Sequence, residues 1–302
     1  MNLILKNLLN NAEKRQDNNS SPPFMGKIRS EKQDRPLPED LIEHRDIPYG
    51  DPAQPLFANV LYPRSGQKGT LPVIVFVHGG ALVIGDRNSD PVFCQEIARQ
   101  GFLVYSVDYR LIDQADAFGM ISDICNALEM VSRTLAQYGG DPGQVSLCGE
   151  SAGAFLALYA AASGASDELR QLLGCTDYGL HITHLVMLSG MIYTTRFNKV
   201  GLVYRKQLYQ EKRKDRQFMA RIAPDNPEII SLLPPVLLIS SKEDFLREDT
   251  IQYAAALDIY DHKHRLLFFH EGKDLTHAFP CLLPSMPESA YAIEQIGIWL
   301  NE

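Results

Sequence analysis

An α/β fold, with a mostly parallel central sheet covered by helices on both faces, is predicted by three observations. Strand-like apolar runs alternate with helix-spaced segments from about residue 41 to the end of the chain. The stretch "LPVIVFVHGG" (71–80) is a continuous β-branched run ending in glycines, as suits a strand buried on both faces. The stretch "LCGESAGA" (147–154) sets a serine between two glycines, just after an apolar run and just before a helical pattern. Hydrophobic residues make up 45% of the 302, enough to bury the sizeable core such a sheet needs.

The elements follow in order. "LFANVLYP" (56–63) alternates like a strand at a sheet edge, and 71–80 is the first central strand. "DPVFCQEIARQG" (90–101) has helical spacing and stops at Gly101. "FLVYSVDYR" (102–110) is a strand, and 118–140 is a long amphipathic helix closed by a glycine pair. "QVSLCG" (144–149) is a strand and 151–164 a helix. Strands at 184–190, 235–241 and 264–272, with helices at 248–261 and 288–302, complete the series. Residues 191–232 interrupt the alternation and are too long for a simple connection. They are helical and basic around Lys212–Arg216, which fits a solvated helix face, a cap over the strand ends, or both. Residues 1–40, polar and carrying four prolines, read as an N-terminal arm: a weakly amphipathic helix and then a polar linker.

Composition excludes several classes. A formal net charge of −8 argues against nucleic acid as a partner. No run of eighteen apolar residues is present, so no membrane span is expected. The N-terminus lacks the long apolar stretch and small-residue cleavage site of a signal peptide, and the chain reads as cytoplasmic. The five cysteines match no zinc spacing and imply no disulfide framework. The close pairs His181 and His184, and His262 and His264, each lack a third ligand nearby, so no metal is expected. The sequence does not fix the oligomeric state, and a homodimer is left open.

In such sheets ligands bind at the carboxyl ends of the strands. There the sequence places strand, Gly-Glu-Ser-Ala-Gly and helix, the nucleophile elbow G-x-S-x-G, with Ser151 at its point. A serine needs a base, and His277 lies in a loop past the last predicted strand, whereas His270 lies within that strand. The base needs an orienting carboxylate, and Asp244 follows the strand 235–241. Glu243, Glu248, Asp249 and Asp274 compete, although Glu248 and Asp249 also suit the first turn of a helix. The order Ser151, Asp244, His277 is the one found with this elbow. "HGG" at 78–80 ends a strand, where the Gly79 and Gly80 amides, with the Ala152 amide after the serine, can form an oxyanion hole. On its own, "HGG" is an ordinary strand-ending turn.

With these pieces together, the sequence resembles an α/β-hydrolase of the hormone-sensitive-lipase-like group, close to bacterial carboxylesterases. The matching stretches are "HGGALVIGDR", "VDYRL", "GGDPGQVSLCGESAGA", "PPVLLISSKEDFLRED" and "LTHAF", in the right order. The resemblance implies an α/β-hydrolase domain over 41–302 with a helical cap inserted at about 191–232, and no cofactor. It implies Ser151 as nucleophile, His277 as base and Asp244 as its orienter, with Gly79, Gly80 and Ala152 as oxyanion donors and His78 bracing their loop. The expected activity is hydrolysis of short-chain carboxylic esters, a small-molecule ester being the substrate. An arylformamidase-like amidase, a small peptidase and a non-catalytic small-molecule receptor are the alternatives. Three positions depart from the family: Ala81 replaces the third glycine of its HGGG motif, Glu150 stands where aspartate is common, and "IDQADAF" follows "DYRL". Phe197, Tyr204 and Tyr209 are the cap aromatics offered as pocket lining.

Overall fold

The computed structural model describes residues 36–64 and 69–302, together with residue 7. The helix and linker expected over residues 1–35 therefore lie outside the described residues. Eight strands form one sheet: β1 (Leu41–Tyr49), β2 (Leu56–Pro63), β3 (Leu71–Val77), β4 (Leu103–Val107), β5 (Gly140–Glu150), β6 (Ile182–Leu188), β7 (Val236–Ser241) and β8 (His264–Phe269). Their spatial order is β1-β2-β4-β3-β5-β6-β7-β8. The β1–β2 and β2–β4 pairs are antiparallel and every later pair is parallel. This is the α/β-hydrolase arrangement that the motifs imply.

Helices cover both faces. They are α1 (Pro91–Arg99), α2 (Ala117–Thr134), α3 (Ala152–Gly164), α4 (Asp167–Leu173), α5 (Lys199–Tyr209), α6 (Arg216–Arg221), α7 (Pro227–Ser231), α8 (Arg247–Ile259), α9 (Phe279–Leu282) and α10 (Pro287–Leu300). Strand β3 explains why the sheet is buried twice over. Val73, Val75 and Val77 face a core shared with α2, α3 and α8, while Ile74 and Phe76 face a smaller core shared with α1 and α10. A side-chain period of two, with both faces apolar, gives the unbroken β-branched run seen in the sequence.

Several boundaries differ from expectation. Strand β1 lacks the apolar run that marks its neighbours, because "LIEHRDIPY" carries charge mid-strand; it forms the outer edge, where solvent satisfies those groups. Its presence moves β2 inside the sheet, so 56–63 is not the edge strand its alternation suggested. The end of the proposed arm also joins the body: Leu37 packs on the smaller core and Asp40 pairs with Arg99. The long helix ends at Thr134 and tightens to a 3₁₀ turn over Leu135–Tyr138, with left-handed Gly139 as its stop. His270 lies just past β8 and is exposed rather than packed on the sheet.

Residues 199–231 form α5, a 3₁₀ turn at Gln210–Lys214, α6 and α7. This insertion is tied down on the start of α2: Tyr209 and Phe218 meet the Phe118 ring edge-on, and the Lys212 ammonium lies 4.0 Å from its centroid. Lys214 and Arg213 both pair with Glu211, so part of the basic run is paired within the insertion. Among the described residues, no helix is long and apolar enough to cross a membrane.

Candidate active site

The elbow is formed where β5 ends and α3 begins. Ser151 sits between them at φ 52 and ψ −112, outside the comfortable regions for an L-residue. Backbone bonds on both sides hold it there: its amide donates to the Leu188 carbonyl at 2.8 Å, and its carbonyl accepts from Met191 at 2.9 Å. Gly153 is demanded by close approach. A Cβ there would lie 2.1 Å from the Val77 carbonyl oxygen, so only a glycine lets α3 start so near the end of β3.

The other two expected residues meet the serine. His277 Nε2 is 2.8 Å from Ser151 Oγ, and His277 Nδ1 is 2.8 Å from Asp244 Oδ1. A carboxylate only accepts, so Nδ1 carries the proton and Nε2 is free to accept from the hydroxyl. Three strand ends supply the three groups: β5 for Ser151, β7 for Asp244, and the loop after β8 for His277. That loop is pinned by Ser189, whose Oγ accepts from the Ala278 amide at 2.9 Å, and by Ser241 Oγ, which donates to the Leu275 carbonyl.

Asp244 is fully buried, and the donors around it favour its charged form. Burial pushes its carboxyl upward, but donation from His277, the Leu246 amide and nearby serine hydroxyls outweighs this and holds it below the usual range. The Leu246 amide donates to Oδ1 at 2.9 Å and Ser240 Oγ to Oδ2 at 2.8 Å. The competing acids are placed elsewhere: Glu248 pairs with Arg247, and Asp249 is half-buried, with burial raising its carboxyl.

The glycine loop after β3 lies beside the elbow. Gly80 has φ +97, and a Cβ on it would fall 1.9 Å from the Ile84 carbonyl oxygen. Ala81 and Leu82 follow at φ 58 and 62, so the position of the family's third glycine is left-handed although alanine occupies it. His78 is completely buried; its Nδ1 donates to the Gly79 carbonyl at 2.8 Å, and burial lowers its basicity so that it stays neutral.

Sequence reasoning missed three supports. Tyr109 stacks on His78 with centroids 4.3 Å apart, and its hydroxyl lies 3.1 Å from both the His78 and Gly79 carbonyls. It belongs to the quoted "VDYRL", but nothing local marks the tyrosine as a brace. Glu150 is buried, with its carboxylate against Gly79. The Phe245 ring lies against His277 at a tilt. Of the cap aromatics, Tyr209 is buried and bonded to Thr194 at 2.6 Å, Tyr204 is buried, and Phe197 is exposed beneath the Arg205 guanidinium. Among the described residues, no three His, Cys, Asp or Glu side chains are grouped to hold a metal.

The BD-FAE family model matches residues 59–246, from β2 through Asp244. The chain belongs to the BD-FAE family. Relatives of this BD-FAE chain carry esterase names. A probable isoprenylcysteine alpha-carbonyl methylesterase of Oryza sativa subsp. japonica is 30% identical over 252 residues, covering 78% of this chain and 58% of the relative. Carboxylesterase NlhH of Mycobacterium tuberculosis is 36% identical over 118 residues, covering 39% and 36%. The chain spans a little over half the length of the methylesterase relatives it matches. Among solved structures, esterase B from Lactobacillus rhamnosis superposes with a TM-score of 0.84 at 23% identity, covering 98% of this chain and 95% of the other, which fixes the fold.

Proposed function

We propose that this BD-FAE protein is a serine esterase that hydrolyses short-chain carboxylic esters through an acyl-enzyme. The observation that carries the proposal is the unbroken relay Ser151–His277–Asp244, with both links at 2.8 Å. His277 Nε2 takes the Ser151 proton as Oγ attacks the ester carbonyl. The amides of Gly79, Gly80 and Ala152 receive the oxyanion, and the start of α3 adds its dipole. His277 then returns the proton to the leaving alcohol, and water repeats the cycle on the acyl-serine. His78 and Tyr109 serve the reaction by fixing the loop that carries Gly79. Asp244 keeps the imidazole in the tautomer that accepts from serine. The esterase names of the relatives support the ester bond as the target.

The short-chain preference rests on the limited size of the insertion, a few short helices over 199–231. It is tested by hydrolysis of a 4-nitrophenyl series from acetyl to long acyl chains. Turnover is expected to peak at the short esters and fall by about tenfold or more at the long ones. A profile rising toward long chains contradicts the preference.

A further inference from the structure

The proposed relay has an aromatic flank. Phe245 follows Asp244 directly, and its ring lies over the His277 imidazole with centroids 4.2 Å apart and planes 35° apart. It is 71% exposed, whereas the next residue, Leu246, is 8% exposed and belongs to the core. The two neighbours thus divide the work: Leu246 anchors the turn, and the Phe245 ring stays in solvent against the imidazole. The turn itself is stiff, because Asp244 Oδ1 accepts from the Leu246 amide and the Asp244 carbonyl from the Arg247 amide. A large apolar ring held in the open adds little to folding, since it removes little of its area from water.

Its position has a chemical consequence. The leaving oxygen of an ester must come within about 2.6–3.2 Å of the base that protonates it. In this site that base is His277 Nε2, so the alcohol portion of the substrate extends alongside the imidazole. Phe245 is an exposed aromatic ring in contact with that imidazole. We propose that Phe245 forms the alcohol-side wall of the site and selects esters whose leaving alcohol carries a flat, apolar group. The inference rests on the esterase reading and names its alcohol specificity. A flat group there covers the exposed ring face and displaces water from it, gaining offset stacking as well as area burial. A methyl ester is too short to cover the ring.

The test compares benzyl butyrate with methyl butyrate, which share an acyl group and release alcohols of similar acidity. The quantity measured is the ratio of the two kcat/KM values in wild type, Phe245→Ala, Phe245→Leu and Phe245→Tyr. The ratio is expected to fall about tenfold in Phe245→Ala and partway in Phe245→Leu, and to be kept in Phe245→Tyr. An unchanged ratio in Phe245→Ala, whether both rates hold or both fall together, overturns the assignment. Ser151→Ala is run in parallel: hydrolysis of both esters by that variant would overturn the esterase reading itself, a result distinct from any change in the ratio.

Discussion

Ser151→Ala is expected to lower kcat for ester hydrolysis by about 10⁴-fold or more while leaving the fold in place. The substitution removes one atom, the Oγ that lies 2.8 Å from His277 Nε2 and that the proposed route uses as nucleophile. Structural cost is small because the contacts that hold the elbow are made by the backbone of residue 151, to the Leu188 carbonyl and from the Met191 amide. Alanine meets the same φ strain that serine does, so Tm should move by no more than about 0.5 kcal/mol of stability implies. Steady-state kinetics with a thermal melt on the same preparation checks both halves. More than about 1% residual turnover would be incompatible with an acyl-serine route.

Asp244→Asn is expected to lower kcat by about 10⁴-fold, for a different reason. Asparagine can turn its amide donor toward His277 Nδ1, which moves the ring proton to Nε2 and leaves that nitrogen unable to accept from Ser151. The buried carboxylate also accepts from Ser240 and the Leu246 amide. One amide cannot satisfy all three donors, so a loss of about 1–3 kcal/mol in stability accompanies the kinetic loss. The pH dependence has a definite sign. A carboxyl held below its ordinary value of about 3.9 stabilises the fold fully above that value. This contribution is lost as pH falls through the lowered value. The stability gap between wild type and Asp244→Asn is therefore widest near neutrality and narrows on strong acidification. Chemical unfolding at several pH values measures it.

The distinction between what the sequence reveals and what it conceals is physical. The elbow at Ser151 is legible because a serine lifted at a strand–helix junction forces small residues on both sides, and Gly153 records the approach of the Val77 carbonyl. Asp244 and His277 are legible because a parallel sheet collects strand ends on one edge, so residues just after β7 and β8 must converge. Strand β1 is not legible, because an edge strand with one solvated side carries charge and loses the apolar run that marks its neighbours. Tyr109 is hidden for the opposite reason. It is buried at the end of a strand like any core aromatic, and only the fold brings its hydroxyl to the His78 and Gly79 carbonyls. Phe245 is hidden because its partner is 32 positions away, joined to it through the Asp244–His277 bond.

The most direct test of the acyl-serine route is to treat the protein with an alkyl fluorophosphonate and map the adduct by peptide mass spectrometry. One adduct per chain is expected, on Ser151, formed in step with loss of esterase activity and absent from Ser151→Ala. An adduct on another residue, or continued ester hydrolysis with Ser151 fully modified, would contradict it.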